Sequence, residues 1–145
     1  MTDLVLGACT VFCAGLLAGI ELAVRFGVRS TIDVLDQQPQ IRLRQAMIRT
    51  LRVLVPSVYL PTFVLGIVVT VLAGSGFRYA GLSALLVWTV TTFTGTVPLN
   101  KALLAWQPDA PPADWRAIIR RWKRMDTVRT WAAVLAFGCF LAALA

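Results

Sequence analysis

Four long stretches without a charged residue leave this chain few architectures. Leu4–Ile20 is uncharged and resumes beyond Glu21 as Leu22–Val24, while Val53–Phe77, Tyr79–Asn100 and Thr130–Ala145 contain no Asp, Glu, Lys or Arg. A helix rises ~1.5 Å per residue and bilayer hydrocarbon is ~30 Å thick, so about 20 apolar residues suffice to cross it. Hydrocarbon offers backbone groups no hydrogen-bond partner, which makes helices the expected form of these runs. The sequence therefore predicts an all-α integral membrane four-helix bundle, one domain over 1–145, with spans near 4–25, 46–74, 79–105 and 127–145. Thr130–Ala145 alone reaches only ~24 Å, so the last helix has to begin before Arg129.

Composition agrees with this reading. The chain is 58% hydrophobic and 14% charged, against roughly 45–50% and ~25% in soluble domains. The net charge of +7 is concentrated between the apolar runs. Arg25–Arg52 holds six arginines against Asp33 and Asp36, and Lys101–Arg129 holds seven basic residues against Asp109, Asp114 and Asp126. The opposite side has only Asp3 and Arg78. The positive-inside rule then predicts cytoplasmic long loops and both termini outside, in a bacterial plasma membrane with lipid as the surrounding partner. No nucleic-acid partner is expected, because no recognised binding module accompanies the charge. Asp3 stands where a signal peptide would be basic, so the first run is expected to remain as a helix.

Histidine is absent, which removes His-ligated metals and haem together with Ser-His and Cys-His nucleophilic devices. Cys9, Cys13 and Cys139 all lie in apolar runs and are read as packing residues, with no metal expected. Gly15 and Gly19 form a GxxxG spacing suited to close helix approach. A second helix is expected from near Gln40, bent at Pro56 and Pro61 and ended by Gly74, Ser75 and Gly76. Pro108, Pro111 and Pro112 predict a rigid connection, after which Asp114 would cap an amphipathic cytoplasmic helix preceding the last span.

The polar residues that interrupt the runs are the candidate site. Trp115, Trp122 and Arg129 recur every seven residues, along one side of a helix. Arg49, Arg52, Pro56 and Tyr59 follow steps of three, four and three, as do Thr89, Thr92, Thr96 and Asn100 with small variation. The topology brings both sets to the depth of Glu21 and Arg129. A carboxylate in a spanning segment costs several kcal/mol unless paired, so Glu21 is expected to meet Arg25 (its i+4 neighbour), Arg49, Arg52 or Arg129. Such a pair either only fixes helix register or forms part of a pocket for a lipophilic small molecule. In the second case Glu21 or Tyr59 would move a proton, Arg129 would hold an enolate or phenolate, Asn100 would orient a carbonyl, and Trp122 would form an aromatic wall. Arg25, Arg49, Arg52 and Thr96 would contribute to substrate binding, and Asp126 would either do so or neutralise Arg129.

The pattern TVPLNKALLAW, then DW, then RRWKRMDTVRTWAA, closing a four-span chain of this length, resembles the DUF1772 family, also called anthrone oxygenase-like. The motifs that carry the resemblance are Pro98, Asn100, Trp122 and Arg129. It implies a membrane enzyme of aromatic polyketide pathways that oxidises anthrones to anthraquinones with molecular oxygen as co-substrate and no metal or flavin. A base and an anion-stabilising cation would suffice, and Glu21 and Arg129 are of those types. The alternatives are a membrane cyclase or isomerase of a polyketide or terpenoid intermediate, and a non-enzymatic accessory protein whose GxxxG and threonine faces serve partner helices. A homo-oligomer that completes the pocket between subunits is also compatible with so short a bundle.

Overall fold

The structure is a computed structural model that describes all residues from Met1 to Ala145. It is all-helical, with four helices each long and apolar enough to cross a membrane: α1 (Thr2–Asp33), α2 (Gln37–Leu72), α3 (Gly76–Ala105) and α4 (Trp115–Ala142). This is the architecture of an integral membrane protein. Large apolar side chains such as Phe12, Leu60, Val71 and Phe93 are exposed around the bundle, where lipid would cover them.

Connections over 34–36 and 73–75 are tight, and 106–114 is longer. α1 packs on α2 and α4, and α3 packs on α4 and, less extensively, on α2. The helices thus form a ring in which α2–α3 is the loosest seam. Leu17, Val55, Tyr59, Leu85, Trp88, Ala133 and Phe140 belong to the continuous core. A smaller cluster of Ile48, Leu103, Ile119 and Trp122 closes the end that carries the long connections, here termed the loop end.

Side chains from neighbouring helices donate to carbonyls at two helix ends. Gln45 donates from Nε2 to the carbonyls of Leu103 and Trp106, both at 2.9 Å, at the end of α3. Buried Arg78 donates to Val69 and Ala73 at the end of α2 and reaches Asp3 near the N-terminus. The two charges at the sparsely charged end are therefore paired with one another. Ser75 caps α3 by accepting from the Arg78 amide, as the Gly-Ser-Gly turn leads one to expect.

Several local expectations are corrected. α2 starts at Gln37, with Pro39 in its first turn, where a missing amide costs little. Pro56 and Pro61 do lie within this helix, as expected, and it continues past both. The amphipathic segment from Trp115 and the last span are a single helix, and Asp114 makes no side-chain cap bond. Gly15 packs on the Phe137 ring, whereas Gly19 faces open space, so the GxxxG pair makes no joint helix contact within the bundle. Cys9 is exposed and Cys13 and Cys139 half-buried, none of them in the core.

Two stretches depart from α-helical winding, Ala23–Val28 in α1 and Thr92–Thr96 in α3, both π-helical. The second has a cause in the sequence. Pro98 lacks an amide and its ring would collide with the carbonyl four residues back, and a turn wound one residue wider just before it removes the conflict. Gly95 lets that turn lie against α4, since a Cβ there would come within 2.7 Å of the Met125 sulfur.

Candidate active site in the bundle interior

Glu21 is 3% exposed, and its Oε1 accepts two hydrogen bonds, from Arg129 Nη2 at 2.6 Å and from Trp88 Nε1 at 2.9 Å. Three helices thereby converge on one carboxylate oxygen. Arg129 also lies over the Trp88 ring, 4.6 Å from its centroid, in a cation–π contact. Tyr59 of α2 stacks on Trp88 with centroids 4.3 Å apart. Of the four arginines expected near Glu21, Arg129 is its partner.

The remaining polar atoms are unequally satisfied. Glu21 Oε2 accepts no hydrogen bond, and neither Nε nor Nη1 of Arg129 donates one. Asn100 Oδ1 accepts from Trp122 Nε1 at 2.8 Å, which leaves the Asn100 amide nitrogen free. Thr96 is 3% exposed and its hydroxyl has no partner. Buried threonines elsewhere in the spans, such as Thr62, Thr70 and Thr130, donate to the carbonyl four residues back. Thr96 ends the π-helical turn, in which the Val97 amide bonds to the Thr92 carbonyl, and its own hydroxyl makes no such bond.

These groups share a cavity of about 160 Å³. Glu21, Arg129, Thr96, Asn100, Trp122 and Asp126 contribute the polar groups of its lining. α2 contributes Met47, Leu51, Val55 and Pro56, together with Arg52.

A family model described as anthrone oxygenase matches residues 46–139. The chain belongs to the anthrone oxygenase family. No curated protein and no solved structure matches it. The family segment begins in α2 and ends in α4, so Asn100, Trp122 and Arg129 lie within it and Glu21, supplied by α1, lies before it.

Not every expected site residue of this family member reaches the cavity. Arg25 turns to Thr127 instead of Glu21. It lies in the π-helical Ala23–Val28 stretch, where neighbours one turn apart are spaced by more than four residues, so the i, i+4 pairing fails. Arg49 is exposed and does not line the cavity, because the buried stripe of α2 at that level runs through Arg44, Gln45 and Ile48. Tyr59 is buried behind Trp88, with its hydroxyl bound to Thr89, and also lies off the cavity wall. Its place is that of a support for Trp88. Asp126 does line the cavity, but its ion-pair partner is Arg29 at 2.6 Å and not Arg129.

Other members of the arrangement were not singled out in the sequence. Trp88 looked like one more apolar residue of an uncharged run. Arg29 belonged to a basic loop whose winding was not foreseen. Arg44 is 1% exposed, pairs with Asp33 and lies over the Trp122 ring at 5.6 Å, and Asp33 also holds Lys123. The Thr96 and Asn100 face, by contrast, follows from simple helical spacing.

Proposed function

We propose that the cavity binds a planar, lipophilic phenolic compound of the anthrone type and oxygenates it without metal or flavin. The observation that carries this reading is the split role of Glu21: one oxygen is fixed by Arg129 and Trp88, and the other is uncommitted in the cavity. A base held in this way can approach a methylene flanked by aromatic rings. The negative charge spreads onto the substrate carbonyl oxygen, where the unused donors of Arg129 and the Asn100 amide stabilise it. Trp122 supplies an aromatic wall for the rings.

The carbanion transfers its electron pair to molecular oxygen, forming a carbon–oxygen bond and a peroxide that takes up the proton from Glu21. Loss of the second methylene proton to Glu21 and departure of hydroxide convert the hydroperoxide to a ketone, and hydroxide and proton leave as water. One methylene and one O2 give one carbonyl and one water, so no external reductant is consumed. Family membership supports this chemistry, and the donor set is what it needs. The basic residues on the helices at the loop end further support a membrane orientation with that end in the cytoplasm, which would put the cavity within the inner leaflet.

Purified protein supplied with an anthrone in air and under argon tests the reaction class. Quinone formation in air alone, above the protein-free rate, is expected. Product formed equally under argon would select a cyclase or isomerase, and no product above background in either gas would favour an accessory protein.

A further inference from the structure

The cavity has an open side, and one cation stands in it. On α2, Arg52 and Pro56 line the cavity and are exposed at the bundle surface, while facing Thr92 and Val97 of α3 are half-buried. The opening therefore falls in the loose α2–α3 seam. The π-helical turn contributes to it by packing on α4 through Gly95 and Met125.

Arg52 makes no hydrogen bond and no ion pair, in contrast to Arg129, which is paired with Glu21 at the inner end of the cavity. The nearby Arg25, Arg29 and Arg44 all have side-chain partners. Arg49 is also unpaired but lies outside the cavity. Arg52 is moreover the last charge of α2 before the uncharged run Val53–Phe77, so its guanidinium lies where the hydrocarbon of a membrane would begin. A free guanidinium at that depth favours an anion that accepts two parallel hydrogen bonds, a carboxylate on the cavity's ligand or a phosphate. Leu51, Val55 and Pro56 line the same cavity, as do Glu21, Arg129 and Asn100. A ligand that uses all of this lining combines an anion, an apolar body and a hydrogen-bonding oxygen.

We infer that the cavity opens laterally between α2 and α3, and that Arg52 at this mouth determines specificity by selecting ligands that bear a carboxylate on an apolar ring system. The ring type rests on the anthrone-type reading; the role of Arg52 rests on its position and free state. Lateral entry lets a poorly soluble ligand move from the bilayer into the cavity without crossing water, its carboxylate remaining at headgroup depth throughout.

Quenching of tryptophan fluorescence measures binding without turnover, because Trp88 and Trp122 line the cavity. The probes are 9,10-anthraquinone-2-carboxylate and 9,10-anthraquinone, each titrated into wild type, Arg52→Gln, Arg52→Lys and Arg49→Gln in one detergent. Ratios between variant and wild type cancel the unequal partitioning of the probes into micelles. Loss of a charge-assisted contact should weaken the carboxylate probe about 10- to 100-fold in Arg52→Gln, with the neutral probe changed less than about twofold. Arg52→Lys should lose less, and Arg49→Gln nothing. Equal weakening of both probes, or none, would overturn the assignment; the latter is the result expected if Arg52 merely anchors phospholipid headgroups. Failure of both probes to bind wild type would remove it together with the anthrone-type reading. Carboxylate-selective binding without oxygen consumption would leave Arg52 in its role and remove the oxygenation.

Discussion

Glu21 and Arg129 are 108 residues apart in the chain, and their side chains meet at 2.6 Å inside the bundle. This ion pair ties the first helix to the last. It also decides which carboxylate oxygen remains available. Removing one partner of a buried pair leaves the other charge uncompensated, at a typical cost of about 3–5 kcal/mol.

That cost separates structural from chemical roles. Glu21→Gln should lower thermal stability in detergent and abolish turnover. Adding Arg129→Gln removes the orphaned charge, so the double variant should recover much of the stability and none of the activity. Recovery of turnover along with stability would show that the pair only fixes helix register.

Arg129→Lys is the milder probe of the same group. Lysine keeps the charge but not the planar fork that allows Arg129 to serve Glu21 and a substrate oxygen together. Loss of one preorganised donor typically lowers turnover by ~10²- to 10³-fold. Normal abundance with turnover reduced by that order is expected. Full activity would reduce Arg129 to a membrane anchor.

Much of this centre could be read from the chain alone, for a definable reason. A carboxylate amid apolar residues has to be compensated, which restricts Glu21 to a few arginines, and helical periodicity aligns Thr92, Thr96 and Asn100. The errors came from assuming uniform 3.6-residue winding and equal depth. Arg25 falls in a π-helical stretch and turns away, and Tyr59 shares a face with Pro56 but lies beyond Trp88. Trp88 itself was hidden, since an indole in a membrane span looks the same in sequence whether its N–H meets a carboxylate or nothing. Pro98 is the sequence signal for the π-helical turn that ends at Thr96.

Thr96 allows a test in which stability and binding move differently. Its buried hydroxyl has no partner, so Thr96→Val should leave the melting temperature unchanged or raise it. If the hydroxyl meets substrate, the same change should raise KM by roughly 2- to 10-fold, the value of one hydrogen bond. A fall in stability with unchanged KM would mean that the hydroxyl serves the fold.

The charge distribution predicts the membrane orientation. The basic residues gather on the helices at the loop end, so a reporter active only in the cytoplasm should stay dark when fused after Ala145 and light up when inserted near Asp109. The opposite pattern would place the cavity in the outer leaflet.

Oxygen uptake by purified protein in liposomes tests the central claim most directly. With an anthrone as substrate, wild type should consume one O2 per quinone formed, well above both protein-free liposomes and the Glu21→Gln/Arg129→Gln double variant. Uptake by the double variant equal to that of wild type, or quinone formation no faster than in liposomes alone, would contradict the account.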